Sequence, residues 1–302
     1  MPKLDPKYRN LTQQYKAEFA ALADQVPGWG SKQIWGGRFT FDENGNPLTR
    51  KAKQRGFEKY KISICTTCMN RLPDLQKTLP KNIEDNLKTY DKDKLEFLVL
   101  DYNSTKHDVE GWMKSEMMKY IDAGILVYCR TEEPEHYSMT KSRNLAFKYA
   151  SGDIINNVDA DSFTNEGFAW YLNRLANDRR KHAIFAKGRR MLRGRLGFWK
   201  KEFVDMLGGY DEDIDDYGHD DWDLMDRAWA LGFCLMWFSG KYFGRTESKK
   251  HQTENMFNPR WKETEARNRL ISARNIIARK LRANVEKGWG KAKVVKNFTE
   301  EL

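Results

Sequence analysis

An α/β fold, a mostly parallel sheet covered by helices, is what this 302-residue sequence predicts. Two observations carry that expectation. From Tyr60 onward, short runs rich in Ile, Val, Leu and aromatic residues alternate with longer helical patterns. Each run also ends in a polar turn: Thr66–Arg71, Asp101–Ser104, Arg130–Glu133 and Asp159–Asp161. Parallel sheets bind ligands outside the carboxyl ends of their strands, so those turns are where a site is expected.

Residues 1–60 read as a basic appendage. A helical stretch over Asp5–Gln25 ends near Pro27-Gly28, and FDENGNPLT carries the turn signals of a small hairpin. The regular alternation then begins. KISIC (Lys61–Cys65) reads as a buried strand, followed by the helical pattern LPDLQKTLPKNIEDNL. Leu95–Ser104 is a second strand, and VEGWMKSEMMKYIDAG is a helix stopped by Gly124. Ile125–Arg130 is a third strand. SMTKSRNLAFKYASG is a helix with Ser138 as its N-cap and Gly152 just past its end. Asp153–Ser162 is a fourth strand running into an acidic turn. The C-terminal segment carries Leu270, Ile271, Ile276, Ile277 and Leu281 among many arginines, a pattern suited to a helix on the core or on anionic lipid. The expected domains are a basic appendage over 1–60, a catalytic α/β domain over 61–240, and a basic, largely helical segment over 241–302.

No apolar run approaches the roughly 20 residues of a spanning helix. The N-terminus has charges where a secretion signal needs an apolar stretch. Four cysteines do not make a disulfide scaffold, so a cytoplasmic protein is expected. The net charge of +10 is unevenly spread: residues 1–61 hold 12 Lys/Arg against 6 Asp/Glu, and residues 241–302 hold 16 against 7. The middle is therefore net acidic. An acidic centre between basic ends suits a metal-binding core with polyanion-attracting flanks, although solvated helix faces would give the same count.

Asp159-Ala160-Asp161 is the sharpest chemical feature. Two carboxylates leaving a buried strand can turn toward one point, and hard divalent cations such as Mg²⁺ and Mn²⁺ take oxygen ligands while keeping positions open for phosphates. The second feature is GGYDEDIDDYGHDDWDLMDRAWALG (208–232). There Asp220, Asp221 and Asp223 open a helix whose apolar face holds Leu224, Ala228 and Leu231. Carboxylates stabilise a helix N-terminus, but seven Asp/Glu lie in 211–221, more than capping requires. One of them could serve as a general base. Cys65-Thr-Thr-Cys68 lacks a second cysteine pair and does not open a helix, so zinc and redox roles are disfavoured. No G-x-S-x-G, P-loop or G-x-G-x-x-G is present, which argues against serine hydrolases, P-loop NTPases and dinucleotide dehydrogenases.

Taken in order, ISICTTCMNR, FLVLDYNS, MTKSRNLAFKYASGDIINNVDAD and GGYDEDIDDYGHDDWDL resemble the GT-A-fold, family 2-like glycosyltransferases, with a distal half similar to the galactosyltransferase C-terminal motif. The resemblance spans about Lys61–Pro259 and implies a GT-A (Rossmann-like) fold, a nucleotide-diphosphate sugar donor with UDP favoured, and Mn²⁺ or Mg²⁺. It places Thr66, Asn70 and Arg71 in the nucleotide pocket and Asp101 on the base or ribose. Arg143 would face the donor near the metal. Asp159 and Asp161 would hold the cation, with His251 as a further ligand. The family's W-G-x-E-D-x-D-L becomes Tyr217–Leu224 here, so Tyr217 takes the place of a stacking aromatic and the base is Asp221 or Asp220. Transfer would invert the anomeric carbon, and the basic, Gly-punctuated Lys187–Gly197 reads as a loop over the donor or acceptor. A nucleotidyltransferase is the rival enzyme, and a non-catalytic nucleic-acid-binding protein on a transferase scaffold the rival class. For the acceptor, a polyanion such as hydroxymethylated DNA competes with a glycan or lipopolysaccharide. Ten basic residues over Arg179–Lys201, with Trp29, Trp35 or Trp199 to support a displaced base, favour DNA.

Overall fold

Strand β1 (Ile62–Cys68) is buried along its whole length, the signature of a central parallel strand covered on both faces. It pairs in parallel with β2 (Leu95–Tyr102) on one side and β4 (Ile154–Asn157) on the other, and β2 pairs in parallel with β3 (Leu126–Thr131). The computed structural model describes residues 6–22, 57–178, 182–186, 195–237, 239–242, 244–246 and 255–302. Within them the remaining strands are β5 (Ser162–Phe163), β6 (Ala183–Ala186), β7 (Gly197–Trp199), β8 (Cys234–Trp237), β9 (Gly244–Arg245), β10 (Val295–Lys296) and β11 (Glu300–Glu301). The main sheet runs β11-β10-β3-β2-β1-β4-β7-β6-β8, with β5 and β9 forming a separate antiparallel pair.

The two sheet faces carry separate cores. Ile62 and Ile64 meet Leu75, Leu79 and Ile83 of the helix Leu72–Leu87 on one face. Leu98 and Leu100 meet Leu145 and Phe147 of the helix Met139–Tyr149 on the other. Cys68 belongs to the first core and Cys65 to the second, so this cysteine pair cannot share a bond or a metal. Gly152 sits where a Cβ would lie 2.6 Å from the Ser63 nitrogen, a close approach that admits no side chain.

The chain's last residues correct the expected largely helical C-terminal segment. Trp261–Ile277 is helical, but Val295–Lys296 pairs antiparallel with β3 and extends the main sheet. Asn297 secures the join by exchanging backbone and side-chain bonds with Tyr128 at 2.8 and 3.0 Å. The N-terminal helix Pro6–Leu22 is tied to Trp261–Ile277 by Glu18 and Arg274 at 2.6 Å. The expected hairpin at FDENGNPLT lies outside the described residues. Among them, no helix is long and apolar enough to cross a membrane.

Candidate active site

β4 ends at Asn157, and the next turn delivers Asp159 and Asp161 at the carboxyl edge of the sheet, beside the end of β1. Asn157 Nδ2 donates to Asp159 Oδ1 at 3.1 Å, and Ser162 Oγ donates to Asp161 Oδ1 at 3.1 Å. The second acidic group arrives from a distant part of the chain. Gly218 (φ 98°) and His219 (φ 69°) are both left-handed, and a Cβ on Gly218 would sit 3.0 Å from Glu265. This turn starts the helix Asp220–Ala230 with Asp220 and Asp221 in its first turn.

Arg143 joins the two groups. Its Nη1 donates to Asp221 Oδ1 at 3.0 Å and closely to Asp220 Oδ2, and its Nη2 lies 3.4 Å from Asp159 Oδ1. The guanidinium sits 5.5 Å from the Tyr210 ring, and the Tyr210 hydroxyl donates to Asp221 Oδ1 at 3.2 Å. Burial, then the neighbouring Asp221 charge, pushes the Asp220 carboxyl up to about 6, against the pull of Arg143. Burial likewise raises Asp159, partly offset by Arg143.

Other charges converge on the D-x-D turn. Arg71 holds Asp74 at 2.8 Å and reaches Asp161 at 3.7 Å. Arg245, on β9, reaches Asp159 at 3.4 Å and Asp161 at 3.8 Å. Tyr210 lies within the Gly208–Gly232 acidic motif, which assigns it no role, and Arg245 is marked by no motif; it enters through the pairing of β9 with Ser162–Phe163.

The remaining sequence candidates divide. Asn70 sits in a left-handed turn (φ 58°), and its side-chain oxygen accepts from the Thr105 and Lys106 amides at 2.8 Å, so it stitches the β1 and β2 turns together. Tyr217 lies at the rim, with its ring edge-on to Trp261 at 6.5 Å. Thr66 is buried, with its hydroxyl donated to the Val158 carbonyl at 2.8 Å. Its neighbour Thr67 bonds the Tyr137 hydroxyl at 2.6 Å. Asp101 is fully buried, accepting from the Ser104 amide at 2.9 Å and the Tyr128 hydroxyl at 3.2 Å. Its carboxylate thereby shapes the β2 turn. His251, Trp29 and Trp35 lie outside the described residues, as does most of Lys187–Gly197.

A separate cleft of about 540 Å³ is lined in part by Tyr102, Tyr137, Ser138, Lys141, Asp215 and Phe257, and by none of Arg143, Asp159, Asp161, Asp220 and Asp221. Two hard carboxylates facing one point fit Mg²⁺ or Mn²⁺, which commonly take one or two carboxylates and leave the rest of the shell to water and phosphate. Among the described residues no group of three His, Cys, Asp or Glu side chains could hold a metal. A cation here would rest on Asp159, Asp161 and the oxygens of a bound diphosphate.

Residues 64–177 match the protein-family model described as glycosyltransferase like family 2. This stretch is a GT-A, family 2-like glycosyltransferase segment. It runs from within β1 through β5 and includes Arg143 and the D-x-D turn, while the Asp220–Ala230 helix follows it. No curated protein sequence matches the chain significantly. Among solved structures, S. aureus TarS 1-349 in complex with UDP-GlcNAc aligns with a TM-score of 0.52 at 16% identity, covering 75% of this chain and 68% of that one. S. aureus TarS aligns at 0.53 and 16%, covering 75% of this chain and 41% of its own. Another structure of TarS 1-349 is covered over 59% of its length. The mannosyltransferase PcManGT from Pyrobaculum calidifontis, in complex with GDP-Man and Mn²⁺, aligns at 0.49 and 16%, covering 90% of this chain and 85% of that one. The TarS alignments share the fold of the family 2-like segment and its α/β surroundings.

Proposed function

We propose that the chain transfers a sugar from a nucleotide-diphosphate sugar, UDP-linked, to an acceptor hydroxyl with inversion of the anomeric carbon. One observation carries this reading: Arg143 brings the D-x-D turn and the Asp220–Asp221 helix start, 59 residues or more apart in sequence, to one point. A cation on Asp159 and Asp161 would supply Lewis-acid stabilisation of the departing diphosphate. Arg71 adds fixed positive charge beside it. Asp221, less deeply buried than Asp220, takes the acceptor proton as the acceptor oxygen bonds to the anomeric carbon and the bond to the diphosphate oxygen breaks. Arg143 and Tyr210 hold that carboxylate in line.

Incubation with UDP-sugars and Mn²⁺ should release UDP, faster once a competent acceptor is added. Pyrophosphate release from a sugar phosphate and a nucleoside triphosphate would instead establish a nucleotidyltransferase.

A polyanionic acceptor such as hydroxymethylated DNA is the second reading, supported by the basic ends of the chain. The described part of Arg179–Lys201 lends it little. Arg195 is buried and donates to the Tyr242 and Phe163 carbonyls, Lys200 is tied to the Lys148 and Ala150 carbonyls, and Lys201 pairs with Asp205. Sugar transfer to a hydroxymethylated duplex, with duplex affinity falling steeply with salt, would establish DNA as the acceptor. No duplex affinity at low salt assigns the acceptor to a glycan.

A further inference from the structure

We propose that Arg245 is a resident counter-cation of the D-x-D turn: its guanidinium occupies the place of the divalent cation, is displaced when that cation enters, and then meets the donor's diphosphate. This rests on the transferase reading and adds a positioning residue that no motif marks.

Among the described residues, Arg245 alone reaches both carboxylates of the turn, at 3.4 Å from Asp159 and 3.8 Å from Asp161. The other two arginines are anchored elsewhere. Arg143 is bound by Asp220 and Asp221, and Arg71 is fixed on Asp74 at 2.8 Å. Arg245 is also the most exposed of the three, with 35% of its side chain accessible against 19% for Arg71 and 3% for Arg143. An anchored, buried guanidinium stays with its carboxylates; a half-exposed one held by longer contacts can leave.

The backbone beneath it is pinned, so the side chain is the moving part. On one flank, the buried Arg195 donates to the Phe163 and Gly244 carbonyls at 3.0 and 3.3 Å, clamping β5 to β9. On the other, the Thr246 amide donates to the Asp161 carbonyl at 2.9 Å, and its hydroxyl to Asp74 at 2.8 Å. β9 thus keeps its register while a change of Arg245 rotamer opens the turn. A guanidinium and a divalent cation cannot both sit between the same two carboxylates. Once displaced, Arg245 remains tethered beside the cation, where a diphosphate would bring new negative charge within its reach.

The test is Mn²⁺ titration of the full chain without nucleotide, followed by the electron paramagnetic resonance signal of free Mn²⁺. Arg245→Gln should bind Mn²⁺ about tenfold more tightly than the parent, equivalent to about 1.4 kcal/mol. Arg71→Gln removes the same charge from Asp161 but not from a bridging position, and should change the affinity less than about threefold. With Mn²⁺ saturating, Arg245→Gln should also bind UDP several-fold more weakly. Unchanged Mn²⁺ affinity in Arg245→Gln, or an equal gain in Arg71→Gln, would overturn the proposal. If Arg245→Gln does not fold, Arg245→Lys, which keeps charge but loses the two-armed contact, should still tighten Mn²⁺ binding. Absence of Mn²⁺ binding in every variant also overturns it. UDP release persisting in chelator would then leave the transferase reading intact.

Discussion

Asp220 and Asp221 are adjacent in sequence, yet their surroundings separate them. Both meet Arg143, but Asp220 is the carboxyl that burial lifts to about 6. A carboxyl raised in the folded state holds its proton more tightly there than in the unfolded chain. Its effect on stability is therefore least favourable above about pH 6 and eases as pH falls toward the ordinary value of 3.8. Activity should accordingly fall below about pH 6 while the protein stays folded, because protonation of Asp220 weakens its hold on Arg143. Initial rates and thermal midpoints across pH 5 to 8 check this: coincident loss of both would mean that unfolding, not titration, sets the limb. Asp221→Asn should keep donor binding and lose about 10²- to 10⁴-fold in turnover, since an amide cannot accept the acceptor proton. Normal turnover in Asp221→Asn with loss in Asp220→Asn would move the base by one residue. Asp161→Ala should abolish the Mn²⁺-dependent part of UDP binding, measured by calorimetry with and without metal.

At the scale of elements, the helix Asp220–Ala230 can present two carboxylates because a buried ion pair fixes its base. Arg227 Nε donates to Asp223 at 2.8 Å, and its other nitrogens donate to the Leu207 and Gly209 carbonyls at 2.8 and 3.0 Å. Both side chains are essentially inaccessible, at 0% and 1% exposure. Arg227→Leu leaves Asp223 buried without its counter-charge, and should cost about 3–5 kcal/mol in urea unfolding. A cost under about 1 kcal/mol would mean the helix is held elsewhere. Asp223 is thus structural, although it stands beside Asp220 and Asp221 in the same acidic run. The β5–β9 pair plays a comparable role for the D-x-D turn, with the buried Arg195 bridging its two backbones.

For the molecule as a whole, the chain's end closes one edge of the sheet. Val294 is buried, and β10 covers the outer side of β3. Removing residues 294–302 would uncover β3's backbone groups and the Tyr128–Phe298 ring contact at 5.3 Å. A loss of about 3 kcal/mol in stability and concentration-dependent aggregation are expected, by denaturant titration and light scattering. Donor binding should act on the whole fold in the opposite sense. UDP at about 100 times its Kd, with Mn²⁺, stabilises by about 2.7 kcal/mol and raises the thermal midpoint, whereas UDP without metal should raise it less.

The alternation of apolar runs and helical patterns determined the central sheet, because β1, β2 and β3 are buried by neighbours that follow directly along the chain. The same periodicity marked the helices Leu72–Leu87 and Met139–Tyr149, and local cap chemistry marked Ser138, whose hydroxyl accepts from the Lys141 amide at 3.4 Å. The D-x-D turn and the acidic helix start were legible as candidates because carboxylates at strand and helix ends are local features. What local features cannot carry is which carboxylate faces inward and which cation meets it. Thr66 and Thr67 differ only in the sheet face they occupy, and that decides which of them points at the Val158 carbonyl. Asp101 reads as a ligand in sequence and is enclosed by Ser104 and Tyr128 in space. Arg245 lies 86 and 84 positions from the carboxylates it bridges, Arg143 lies 77 and 78 from the pair it orients, and β10 crosses back over more than 160 residues to reach β3. Such pairings depend on long-range backbone register and on the charge that burial leaves uncompensated, and only the tertiary structure decides both.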